Sequence, residues 1–198
     1  LYELANAKTM VHSFYSHITK FTTLEETEFE TVLSFFKKIK ANKKENLLTA
    51  GQLCKTHFFV LEGCLRKFFI NSKGVEQTTE FAIENWWLTD NIAYERGLPT
   101  EFYIQAVENS VVLVIDKQLQ DKLVLEHPKL ERYFRFIYQR AFAASQMRIK
   151  YLYDFSKEEA YFQLCKNQPE FVQRVPQYLI ASFLGFTPEY LSEIRNQK

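Results

Sequence analysis

The chain has 198 residues and a formal net charge of +1, and 46% of its residues are hydrophobic and 16% aromatic. That is ample core material for one large domain or two small ones, and a charge so near zero excludes a broad basic surface, so any nucleic-acid contact must come from a local patch. No apolar run approaches the roughly 20 residues of a membrane span and no signal peptide is visible, so the cytoplasm is the expected compartment and no membrane is expected as a partner.

In chain order, Leu1, Leu4, Val11, Phe14, Tyr15 and Ile18 fit an amphipathic helix that reaches about Lys20. Thr23 and Glu26 form a capping box, and Phe29, Val32, Leu33, Phe36 and Ile39 follow at helical spacing, so a second helix is expected to end in the polar loop Lys40 to Lys44. From Glu45 to Asp116 the pattern changes to short β-rich runs. These are Asn46 to Thr49, His57 to Leu61, Cys64 to Ile70, Val75 to Ala82, Tyr103 to Val107 and Val111 to Asp116, separated by turn residues such as Glu62-Gly63 and Asn71 to Gly74. Close spacing of so many short strands predicts a sandwich, jelly roll or barrel.

Asp116 can cap a short helix, Lys117 to Leu125, that stops before His127-Pro128. A long helix then runs from Pro128 to about Tyr153, with Leu130, Phe134, Ile137, Ala141, Ala144 and Tyr151 on one seam. At ~1.5 Å per residue it extends close to 40 Å, too long for one small roll to cover. A parallel homodimer across the helix is expected; the alternative is burial along its own domain. Asp154 to Ser156 interrupts it, Ser156 and Glu159 make a capping box for Lys157 to Lys166, and Asn167 to Glu170 ends that helix.

The stretch Val175 to Lys198 describes two short helices and one sharp turn. Ile180, Ala181 and Leu184 share a face of the first, and Leu191 and Ile194 a face of the second. Gly185 stands where a left-handed cap is needed, Thr187 can cap the next helix, and Pro188 takes a first-turn position that requires no amide donor. The pattern is a helix-turn-helix, although a helical hairpin closing a core has the same turn chemistry. Arg195 and Lys198 oppose Glu189 and Glu193, so the stretch is formally neutral.

Arg174 to Arg195 (RVPQYLIASFLGFTPEYLSEIR) resembles the DNA-binding end of Crp/Fnr-type transcription regulators, and Phe58 to Arg66 (FFVLEGCLR) resembles a strand-turn-strand of their cyclic-nucleotide-binding roll. The resemblance covers about residues 24 to 198. It implies an α+β fold with an N-terminal β-roll or jelly roll over 1–127, a long dimerisation helix and hinge over 128–155, and a DNA-binding helix-turn-helix over 156–198. Double-stranded DNA and a second copy of the chain are the partners it implies. The second helix of such a motif enters the major groove, which turns Thr187, Glu189, Tyr190, Ser192, Glu193 and Arg195 toward DNA, with Gln177 and Lys198 as further contacts. The arginines that read bases in cyclic-AMP receptors match Pro188 and Glu193, so the target sequence must differ; Glu189 stands where the family has a base-contacting Glu and could accept from cytosine N4.

The same resemblance places an effector cassette between Trp86 and Ala106. Its candidate residues are Thr89, Asp90, Asn91, Thr100 and Glu101. The family's ribose-binding Glu position falls at Asp90 and its phosphate-binding Arg position at Thr100, with Glu101 beside it. Without the bidentate cation, cyclic AMP is not expected to bind, and any small-molecule effector is a different one. Cys54, Cys64 and Cys165 lack the clustering of an iron-sulfur or zinc site, and His12, His17, His57 and His127 are scattered. No metal, no cofactor and no catalytic residue is expected, and the chain is read as non-enzymatic. A ligand-binding or protein-interaction module that keeps the fold without binding DNA is the alternative function.

Overall fold

In the computed structural model, residues 2–196 are described, and Leu1, Gln197 and Lys198 lie outside that range. The chain divides into two compact units, Leu1–Lys67 with Phe81–Gln139, and Phe68–Glu80 with Arg140–Lys198. Two helices open it, α1 (Tyr2–Thr19) and α2 (Glu26–Leu33), followed by strands β1 (Lys37–Ala41), β2 (Asn46–Leu48), β3 (Thr56–Glu62), β4 (Leu65–Ile70), β5 (Glu76–Ala82) and β6 (Trp87–Leu88). Helix α3 (Asn91–Arg96) precedes β7 (Tyr103–Ala106) and β8 (Ser110–Asp116). Then come α4 (Lys117–Glu126), α5 (Lys129–Asp154), α6 (Lys157–Asn167), α7 (Pro169–Arg174), α8 (Gln177–Leu184) and α9 (Pro188–Asn196).

The strands form two four-stranded sheets with orders β1-β8-β3-β6 and β2-β7-β4-β5. Strand β3 shows why this sequence makes a roll with helices against it. Its successive residues Phe58, Phe59, Val60 and Leu61 are all buried, because a strand points alternate side chains to opposite faces and both faces are covered. Phe59 and Leu61 join Leu113 and Ile115 of β8 in a core with α1, α2, α4 and the start of α5. Phe58 and Val60 join Val112 in the roll interior with Leu48, Leu65, Leu88, Ile104 and Ala106. Each such aromatic or aliphatic side chain contributes about 1.5–3 kcal/mol by leaving water. At the β3–β4 reversal Gly63 has φ +98°, and a Cβ there would sit 2.2 Å from Ser110 Oγ, so the turn closes only without a side chain.

The second helix is shorter than its apolar spacing predicts. It begins after Glu25, which makes no side-chain cap, so the Thr23–Glu26 capping box does not form. Its end comes at Ser34, whose Oγ donates to Thr31 O at 2.6 Å. Lys37–Ala41, expected as helix and loop, is instead β1, paired antiparallel with β8 from Lys37↔Val114 to Ala41↔Ser110. Ile39 and Ala41 enter the roll interior and Lys38 and Lys40 do not, a period of two that overrides the period-3.6 match. Helix α7 was not expected either; Pro169 occupies its first turn, where the missing amide costs nothing. The caps expected from Asp116 and from the Ser156–Glu159 box are present. No helix among the described residues is long and apolar enough to cross a membrane.

Candidate nucleic-acid interface and effector cassette

The C-terminal helices take their geometry from a few local residues. Leu179, Ile180 and Ala181 of α8 are buried, as are Leu191 and Ile194 of α9. Gly185 adopts the left-handed conformation at φ 75°, and Phe186 N donates back to Ala181 O at 2.8 Å, which closes α8. Thr187 Oγ1 accepts from Tyr190 N at 3.3 Å and Thr187 O from Leu191 N at 3.1 Å, so α9 starts at Pro188.

Thr187, Glu189, Ser192, Glu193 and Arg195 are exposed. Two other expected contacts are turned inward. Tyr190 donates its phenol to the Glu158 carboxylate at the start of α6, packs edge-on against Phe186, and lies under Lys157, whose Nζ is 5.5 Å from its ring centroid. That hydrogen bond holds the Glu158 carboxyl below its usual range and raises the Tyr190 phenol. Gln177 donates through Nε2 to Val172 O at 3.1 Å, and its Oε1 is buried without a hydrogen-bond partner. Lys198 lies outside the described residues.

The hairpin of β4 and β5 within the same unit meets the end of α8. Because β5 is the outer strand of its sheet, its backbone groups need partners. Ser182 Oγ donates to Glu76 O at 2.8 Å and accepts from Thr78 N at 2.9 Å. Arg148 of α5 donates to Phe183 O at 2.7 Å, with its guanidinium 4.0 Å from the Phe183 ring centroid. Neither Ser182 nor Thr78 stands out in the sequence, because no local pattern distinguishes them, whereas Arg148 is the only charged residue on the expected seam of the long helix.

In the N-terminal unit the cassette is built around Asp90. Its Oδ1 accepts from Ile92 N at 3.2 Å and Ala93 N at 3.3 Å, capping α3. Its Oδ2 accepts from Thr100 Oγ1 at 2.7 Å, and Thr100 Oγ1 in turn accepts from Phe102 N at 3.0 Å. Thr89, Asp90 and Thr100 are therefore brought together and buried, whereas Asn91 and Glu101 remain exposed. The two positions that would hold ribose and phosphate bond each other instead. Sequence reasoning missed Lys67 and Cys54. Lys67 Nζ donates to Thr89 O at 3.0 Å and lies 5.6 Å from the Phe102 ring centroid. Cys54 Sγ is 3.3 Å from Thr89 Oγ1, and burial pushes its thiol up. A lysine on the same strand face as core Leu65 was the one readable signal.

Of the six residues of the expected dimer seam, Leu130, Phe134 and Ile137 are buried in the core of their own unit against β3, β8 and α1. Ala141 is half-buried, and Ala144 and Tyr151 are exposed. The free apolar stripe lies farther along and rotated by one residue: Phe142, Ile149 and Leu152 are 65%, 55% and 61% exposed, with Ser145 between them. Phe142, Ser145, Ile149 and Leu152 repeat at three, four and three, the interval of a two-helix seam.

No family model matches the chain, and no curated protein matches it in sequence. Solved structures do share its fold. The c-di-GMP responsive global regulator CLP of Xanthomonas campestris aligns with a TM-score of 0.71 at 12% identity, over 87% of this chain and 91% of its own. FixK2 from Bradyrhizobium japonicum aligns with a TM-score of 0.68 at 15% identity, over 82% of this chain and 83% of its own. A structure from Eubacterium rectale assigned to the Crp/Fnr family aligns at 0.66 and 13% identity, over 88% and 83%. With its antiparallel roll, long helix and C-terminal helix-turn-helix, this chain has the α+β fold of the Crp/Fnr regulators.

Proposed function

We propose that the chain is a homodimeric, sequence-specific DNA-binding transcription regulator, not an enzyme, whose roll responds to something other than cyclic AMP. The observation that carries this reading is α9. Its apolar residues Leu191 and Ile194 are buried while Thr187, Glu189, Ser192, Glu193 and Arg195 stay exposed at the end of a capped helix-turn-helix. The closed Asp90–Thr100 pair argues against cyclic AMP. A phosphate placed there would meet a buried carboxylate that already accepts three hydrogen bonds, with no guanidinium at the Thr100 position to neutralise it.

Selection from a pool of randomised duplexes tests the reading. The expected result is an enriched palindrome whose half-sites lie about 34 Å apart, one turn of DNA, and whose enrichment is lost on Arg195→Ala. Dimerisation is tested separately. Ile149→Glu with Leu152→Glu should convert a dimer to a monomer in analytical ultracentrifugation and abolish enrichment, since two charges would be buried in an apolar seam. A dimer that survives both substitutions would place the interface elsewhere. A second reading, an interaction module without DNA binding, is favoured by one observation: residues 156–198 carry five basic side chains against five acidic ones. Absence of any enriched sequence would select it.

A further inference from the structure

We propose that Glu193 makes α9 a reader of amine-bearing bases, so that with Glu189 it selects half-sites carrying two cytosines on the contacted strand, about two base pairs apart; this rests on the DNA-binding reading above. Glu189 stands at the family's own position for such a contact. Glu193 stands where cyclic-AMP receptors carry a base-reading arginine, and the reversal of charge there inverts the kind of base edge that the position accepts.

The helix itself selects these side chains. Leu191 and Ile194 are buried and mark the inner side of α9. At about 100° per residue, Glu189, Ser192, Glu193 and Asn196 fall within about 50° of the opposite direction, and all four are exposed. Tyr190 and Arg195 lie about 110° round, one on each flank. The Tyr190 phenol is taken up by the Glu158 carboxylate, which keeps it off the outward face. On that flank Lys157 Nζ lies 5.9 Å from the Phe186 ring centroid and 5.5 Å from that of Tyr190. Lys157 and Arg195 therefore stand on either side of an outward face that holds carboxylates, a hydroxyl and an amide. That is the division between phosphate contacts, which position a helix in a groove, and base contacts, which specify.

An ionised carboxylate only accepts hydrogen bonds. In the major groove the donors are cytosine N4 and adenine N6, whereas guanine offers O6 and N7 and thymine O4, all of them acceptors. Adenine carries its N7 acceptor beside the donor, where it repels a carboxylate, so cytosine is the base that suits one. Among the described residues neither the Glu189 nor the Glu193 carboxylate has a salt-bridge or hydrogen-bond partner, so both are available to accept. Four residues of helix rise about 6 Å, close to two base-pair steps of about 3.4 Å, which sets the spacing of the two cytosines.

The test is selection from a randomised duplex pool with the full-length chain, with Glu193→Gln and with Glu193→Arg, substitutions at an exposed position that leave the fold intact. Wild type is expected to enrich cytosine at two positions of each half-site. Glu193→Gln should change one of them to adenine, whose N6 and N7 suit an amide, and Glu193→Arg should change the same one to guanine, with every other position kept. In competition between duplexes that differ only there, wild type should prefer cytosine to guanine by about tenfold, and the preference should reverse in the arginine variant. An enriched palindrome that both substitutions leave unchanged would overturn the proposal while the regulator reading stands. So would loss of all enrichment in both variants, which would make Glu193 a structural residue. No enriched sequence from any of the three proteins would overturn the regulator reading itself, and the base assignment with it.

Discussion

Replacing Tyr133 by Phe should destabilise the N-terminal unit by about 2–4 kcal/mol, although it removes a single oxygen. That oxygen is buried and sits between two polar side chains: Trp87 Nε1 donates to it at 2.8 Å, and His17 Nδ1 lies 2.9 Å away. An indole nitrogen can only donate, so the phenol oxygen accepts from Trp87 and bonds His17 Nδ1 in the direction that the imidazole tautomer sets. Without the oxygen the buried Trp87 donor goes unpaired at about 1–3 kcal/mol and His17 loses a hydrogen bond of about 1 kcal/mol, among Phe14, Phe59 and Phe134, which can replace neither. Burial also pushes the Tyr133 phenol far above its ordinary range, so no deprotonation at accessible pH competes with this role. Urea unfolding followed by tryptophan fluorescence measures the cost. The control is Tyr138→Phe, whose hydroxyl accepts from Gln120 Nε2 at 3.1 Å but is partly exposed and has water as a substitute. Equal losses from the two substitutions would show that the buried triad contributes no more than a surface contact.

Acidification from pH 7 to about 4.5 should cost wild type about 2–3 kcal/mol more stability than it costs a His57→Gln variant. His57 is buried between Trp87, at 4.3 Å between ring centroids, and Tyr138, at 6.0 Å. Burial is the main reason that its pKa falls from 6.5 to about 3; the Gln120 hydrogen bond at 3.4 Å opposes the fall and the charge of Lys67 adds to it. Between those two values the unfolded chain binds a proton that the folded chain refuses. The contribution is therefore complete above pH 6.5 and is lost as pH falls toward 3, at about 1.4 kcal/mol per pH unit. Parallel stability curves for wild type and His57→Gln between pH 7 and 4.5 would mean that the ring is hydrated in the folded state.

What the sequence determined by itself is local. Gly185, Thr187 and Pro188 specify the turn between α8 and α9, because a left-handed cap, a hydroxyl acceptor and a missing amide are each satisfied within four residues. The Ser156–Glu159 box and the Asp116 cap are legible for the same reason. The span of α5 follows from its length and uninterrupted apolar spacing. What the tertiary structure decided is pairing across the chain. Ile39 fits a helical repeat and a strand repeat alike, and only β8, more than seventy residues later, makes β1 a strand. Asp90 meets Thr100 across α3, and His17 meets Tyr133 over a separation of 116 residues, which no spacing rule encodes. The apolar face of α5 was visible as a pattern, but which residues on it remain free depended on where β3, β8 and α1 cover Leu130, Phe134 and Ile137. Capping and turn chemistry are short-range and so can be read along the sequence; burial is a property of the folded surface, and folding alone assigns it.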